Sequence, residues 1–179
     1  AQAKLSGSGT DFLSRKTRLQ AQLDIDHLGY ASWMLDSIHA DCRLKDGTAM
    51  AEMSSRNELL QFHGCIDATI DKRKLQGTAF NLDLSHIDLH ALRMAEKPLS
   101  ASMVLHMDGS SDFRQTHSLN ARLEAMELVT ADSVLHPYDL VVNADLTPEL
   151  IQLETLAGDL TLSVSSDRVW TLCCVVSIM

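Results

Sequence analysis

Two short stretches of this chain, 59 positions apart, are nearly identical in pattern: Leu23-Asp24-Ile25-Asp26-His27-Leu28 and Leu82-Asp83-Leu84-Ser85-His86-Ile87. Each alternates apolar and polar residues, then places its next apolar residue three positions on instead of two. Alternation at period two is what a strand with one dry and one wet face requires. One extra residue marks a bulge that re-aims a strand without ending it. Alternation, slip and continuation, used twice, constrains the fold to a long sheet assembled from similar hairpin units.

The rest of the chain agrees. Alternating runs cover Leu19 to Ile25, Ile38 to Leu44, Ala49 to Met53, Phe62 to Ile70, Thr78 to Leu84 and Leu99 to Met107. Further runs cover Leu119 to Leu123, Leu140 to Leu146, Ile151 to Leu153 and Leu160 to Val164. Asp46-Gly47 between two runs is a strong hairpin signal, because both residues tolerate positive φ, and Asp71-Lys72-Arg73-Lys74 supplies a charged turn. Alternation lapses at Ser54–Leu60 and His90–Glu96, which are expected to form short helical stretches, the second closed by Pro98. These features predict an all-β chain of roughly ten strands, with more than half its residues in one elongated, twisted, mainly antiparallel sheet curled into a taco-like apolar groove. No domain boundary is visible within residues 1–179.

Composition narrows the functional classes. A net charge of −9 argues against nucleic acid and against simple adsorption on anionic headgroups. Two Trp, two Tyr and four Phe are few for a β-sandwich core or a face that stacks on sugars or bases. No apolar run reaches about 18 residues, so no segment reads as a membrane-spanning helix. Cys42 shares the phase of Ile38, Ala40 and Leu44 and should face the apolar side as a free thiol. Cys65 is out of phase with its apolar neighbours, and Cys173 and Cys174 are adjacent, so the cysteines predict no disulfide framework.

Reactive-looking residues do not assemble into a site. The eight histidines lack ligand spacing; His86 and His90 share a face only if their strand continues, and read best as solvated. Asp24 and Asp26 fall on one wet strand face, and the Asp145/Glu149 pair likewise has no apolar pocket to separate the two pKa values. Gly7-Ser8-Gly9 reads as linker, where a nucleophile elbow would need a strand and a helix. A non-enzymatic protein without cofactor or metal is expected.

What remains is the apolar face, with Phe80, Leu82, Leu84, Leu99, Ala101, Met103, Leu105, Met107, Leu140, Val142, Leu160 and Leu162 as its candidate residues. Two outcomes stand open. A second layer could seal the face as a core, making a structural or adhesive β-repeat. Alternatively, the face could stay open and hold acyl chains through non-directional burial.

Lys97-Pro98-Leu99-Ser100-Ala101 through Leu105-His106-Met107-Asp108 to Ser111-Asp112 resembles the translocation-and-assembly-module (TamB) family, particularly versions from Gram-negative Bacteroides-type bacteria. So do the Leu82-Asp83-Leu84 repeat, Pro137-Tyr138-Asp139-Leu140 and Gly158-Asp159-Leu160-Thr161-Leu162. The likeness spans residues 7–166. It implies a periplasmic segment of a large AsmA-like envelope protein anchored in the inner membrane outside this segment. Implied with it are an outer-membrane barrel assembly partner, roles in outer-membrane protein assembly and phospholipid transport, and no catalytic residues.

The ends read as those of a piece of a longer protein. Ser6-Gly7-Ser8-Gly9-Thr10 leads into the first alternating run. Residues 167–179 depart from the pattern: Val169 to Met179 is uncharged and Cys-rich and is expected to be displaced from the sheet. Exposed strand edges and the β-prone tail predict self-association.

Overall fold

The computed structural model describes residues 1–30, 33–167 and 172–178. Thirteen strands form one antiparallel sheet: β1 (Gln2–Ser8), β2 (Arg18–Tyr30), β3 (Trp33–Lys45), β4 (Thr48–Asn57), β5 (Leu60–Asp71), β6 (Lys74–Asp88), β7 (Leu99–Ser111), β8 (His117–Thr130), β9 (Val134–Leu135), β10 (Leu140–Leu146), β11 (Leu150–Ala157), β12 (Leu160–Asp167) and β13 (Leu172–Ile178). Spatial order follows chain order, except that β10 pairs with β8 and the short β9 is appended to β8. Strand makes up 74% of the chain, as the alternation requires. The sheet is curled and does not close on itself. At the usual strand spacing, twelve strands side by side extend about 53 Å.

The turns follow from local chemistry. Asp46 (φ 54) and Gly47 (φ 84) both sit in the left-handed region, as a two-residue turn matched to sheet twist demands. Lys72 (φ 49) and Arg73 (φ 63) do the same in the charged turn. The expected bulge in the second repeat is present. Pairing of β6 shifts by one residue between Leu84 and Ile87 against β7, with a matching shift against β5 at Gln61/Phe62, so one residue of Ser85-His86 is extra on both sides. The first repeat behaves differently. Ile25↔Ile38 and His27↔Asp36 keep one register, and the ladder instead lapses where Asp26 meets Ser37, which takes φ 55.

Four expectations are corrected. Ser54–Leu60 is not helical: β4 runs to Asn57 and β5 starts at Leu60, with Ser55 Oγ donating to the Leu60 carbonyl across the turn (2.7 Å). Backbone hydrogen bonding across a hairpin outweighs the lapse in side-chain alternation there. His90–Glu96 is a series of turns, with the amides of Met94 and Ala95 both donating to the Leu89 carbonyl; β6 ends at Asp88, so His86 and His90 do not continue one strand. Gly7-Ser8 belongs to β1, which lacks apolar alternation because all seven of its residues are exposed. Finally, Leu172–Ile178 is not displaced: it pairs with β12 from Ser166↔Leu172 to Leu160↔Ile178. Pairing runs through backbone N–H and C=O groups, which an edge strand offers whatever its side-chain pattern. The same reading applied to 168–171 and Met179 lies outside the described residues.

Burial is sparse. Among the described residues Leu35, Leu44 and Leu84 are the buried hydrophobic side chains, with Thr17, Ser55 and Asn57 the buried polar ones. The accessible surface is 12130 Å², whereas a compact monomer of 19.7 kDa exposes about 8,600 Å². A single uncovered layer accounts for the excess.

Candidate functional site: an uncovered apolar face

Cross-strand partners in a sheet project to the same side, so the register assigns faces directly. One row runs Ala21, Cys42, Ala51, Ile66, Phe80, Met107, Ala121, Val142, Thr155, Leu162 from β2 to β12. The next runs Leu23, Ala40, Met53, Gly64, Leu82, Leu105, Leu123, Leu140, Ala157, Leu160 through the same strands. A third begins Leu19, Leu44, Ala49, Ala68 and ends Leu119, Ala144, Leu153, Val164. Three adjacent rows therefore give a mostly aliphatic face ten strands wide, the third row being interrupted by Thr78 and Gly109.

The structure brings all twelve candidate residues onto this face. Phe80, Met107, Val142 and Leu162 share one row, and Leu82, Leu105, Leu140 and Leu160 the next. Leu84 pairs with Met103. Ala101 lies between Ile87 and Leu128, and Leu99 opposite Thr130, beyond the bulges of β6 and β8. Of these only Leu84 is buried, at 7% exposure; Leu160 is 44% exposed and the others are half-buried. Half-burial without cover is what neighbouring side chains in a single layer give each other. Cys42 faces this side, between Ala21 and Ala51. The sequence reading missed the contribution of β2 to β5, although Leu19 to Ile25 and Ala49 to Met53 alternate in plain view. Small residues at Ala21, Ala40, Ala49 and Ala51 made those runs look weaker than Leu99 to Met107.

The opposite face is wet and internally hydrogen-bonded. His39 Nδ1–H donates to Asp24 (2.6 Å), and His106 Nδ1–H donates to the Asn81 side-chain carbonyl (2.6 Å). Asn120, Asn143 and Glu154 continue such contacts across three strands. Cys65 belongs here, where Asn81 Nδ2 donates to its sulfur at 3.8 Å. Among the described residues no group of three or more His, Cys, Asp or Glu is placed to hold a metal ion.

Loops fix both ends of the long strands. Loop 9–17 lies over two turns of one margin: Arg15 donates to the Asp46 carbonyl and pairs with Asp71, and Arg73 pairs with Asp11 at 2.6 Å. At the other margin Asn57 donates to Asp36 (2.9 Å) and accepts from the Leu59 amide (2.9 Å). Asp139, in the segment that follows Pro137, accepts from the Ala125 amide (3.3 Å) at the β8 bulge, where Ala125 has φ 49. Tyr138 lies against the turn at Gly158, where an added Cβ would meet its ring at 3.0 Å.

Comparison with known proteins returned no matching family model, no matching curated protein and no matching solved structure.

Proposed function

We propose that this chain is a non-enzymatic conduit or holding surface for apolar cargo, in the first place phospholipid acyl chains, within a TamB/AsmA-like protein of a Gram-negative envelope. The supporting observation is the run of mostly aliphatic rows from β2 to β12, with no second layer of described residues over it. Burying one methylene against such a face contributes about 0.8 kcal/mol, and no directional anchor is needed, so cargo can shift along the rows. A periplasmic setting and an outer-membrane barrel partner come with the resemblance of residues 7–166 to that family. On this reading the wet face keeps the sheet soluble while the dry face carries the load.

The test is lipid capture by the purified chain, read by native mass spectrometry. Leu105→Arg sets a charge in the middle of an aliphatic row and should abolish capture. His106→Arg alters the opposite face and should leave it intact. Capture by both variants, or by neither, removes the assignment. A chain that binds no lipid and purifies with its apolar face covered by another polypeptide is instead a structural or adhesive module.

A further inference from the structure

The two margins of the sheet, where strands turn back, differ in charge. Antiparallel order places the β1–β2, β3–β4, β5–β6 and β7–β8 connections on one margin. Counted with one flanking residue on each side, these four connections hold eight Lys and Arg against four Asp, a net of +4. The β2–β3, β4–β5, β6–β7 and β8–β10 connections on the other margin, counted the same way, hold two Lys and Arg against five Asp and Glu, a net of −3. A chain of net charge −9 thus carries a local positive rim beside its apolar face. The rim is confined to β1–β8: the next turn on that margin, between β10 and β11, bears Glu149.

Not all of these cations are available. Arg15, Arg18 and Arg73 are engaged by Asp71, Asp46 and Asp11. Lys16, Lys45 and Lys72 make no ion pair among the described residues and are exposed. Lys74, also exposed, lies near Asp112. Four lysine ammonium groups therefore stand along this margin: Lys16 before β2, Lys45 at the end of β3, Lys72 in the β5–β6 turn and Lys74 at the start of β6, the strand that bears Phe80 and Leu82. Compact, strongly hydrated ammonium groups suit phosphate oxygens as point charges.

We infer that the cargo is an anionic phospholipid, its acyl chains on the aliphatic rows and its phosphate headgroup held at the β1–β8 basic margin, so that lipid is carried in one orientation. This rests on the acyl-chain reading above. Charge complementarity supplies what the apolar face alone lacks, a preference between headgroups.

The experiment loads the chain from vesicles of phosphatidylcholine mixed with phosphatidylglycerol in about two-to-one proportion and measures bound lipid by native mass spectrometry. The wild type should take up phosphatidylglycerol preferentially, and added salt should weaken the preference. In K45Q/K72Q/K74Q the preference should fall about a hundred-fold, at roughly a factor of five per lysine, with phosphatidylcholine uptake retained. E58Q/D132N/D139N, a matched neutralisation of the other margin, should not lower it. Uptake of the neutral lipid without any anionic preference overturns this inference alone and leaves the acyl-chain reading standing. Uptake of neither lipid overturns both. Loss of the preference in inorganic phosphate, with no weakening in sodium chloride of equal ionic strength, assigns the lysines to free phosphate and overturns the headgroup assignment. Circular dichroism of both triple variants confirms that the exposed substitutions leave the sheet folded.

Discussion

The first half of the sheet, β2 to β7, and the last strands, β10 to β12, share the same apolar rows but are held together differently. β2 to β7 are 10 to 15 residues long, and the buried side chains among the described residues belong to their strands or to the loop that covers their ends. β10 to β12 are seven or eight residues long and contain no buried residue. The first region is a ladder with locked ends. The second is close to a bare ladder, where each strand is supported only by its neighbours. The difference teaches that one apolar face can be laid out continuously while stability is concentrated in part of it.

Truncating one leucine in each region is the strongest way to break this contrast. Leu84→Ala removes a buried side chain and should cost about 2–4 kcal/mol. Leu160→Ala, in the same sheet but 44% exposed, should cost less than about 1 kcal/mol. Urea titration followed by circular dichroism measures both, and equal costs would erase the distinction between the regions. Hydrogen exchange sharpens it, since amides of β10 to β12 should exchange before those of β3 to β6.

A pair of turn glycines gives the next effect. Gly47 (φ 84) and Gly158 (φ 58) both occupy the left-handed region, so Ala at either is strained by roughly 1–2 kcal/mol. At Gly47 the new Cβ would also meet the Ile70 carbonyl oxygen at 2.5 Å, whereas at Gly158 it would meet the ring of the exposed Tyr138. A backbone carbonyl cannot swing away and an exposed ring can. Gly47→Ala should therefore lower the urea midpoint more than Gly158→Ala.

Asp139→Ala tests the joint between the regions. It removes the carboxylate that accepts from Ala125 at the β8 bulge, an exposed contact expected to contribute about 0.5–1 kcal/mol. The loss should appear as faster exchange of the Ala125 amide, with β3 to β6 unchanged.

The smallest effect belongs to Asp112. Amides of Thr116, Gln115 and Arg114 donate to its carboxylate and hold its pKa down to about 2 from 3.8. A folded pKa below the unfolded one means the turn's support is complete above the unfolded value and is lost as pH falls through the folded one. Amide chemical shifts of residues 114–116 should titrate with a midpoint near 2. Asp112→Asn should flatten that titration.

Much of this was legible in the sequence, for reasons specific to single-layer sheets. Alternation gave the strands because no tertiary layer competes with it, and Asp46-Gly47 gave its hairpin because positive φ selects those residues. The three-residue step at Leu84-Ser85-His86-Ile87 marked a true bulge. The same step at Ile25-Asp26-His27-Leu28 did not, because Ser37 on the opposing strand leaves the ladder at the same place and register is preserved. β1 and β13 were invisible, since edge pairing uses backbone groups and imposes no side-chain period. The capping of the strand ends by Arg15, Arg73 and Asn57 joins residues far apart in the chain, which no local pattern records. The charged margins were equally hidden until the topology sorted the turns into two sets.

The central claim is that the face bearing Met103 and Leu105 meets apolar cargo and the face bearing Val104 and His106 does not. Photo-crosslinking residues placed singly at these four consecutive positions of β7, in cells, test it most directly. Lipid adducts at 103 and 105 with none at 104 and 106 are the predicted result. Adducts at 104 and 106, or equal yields at all four, would contradict the account.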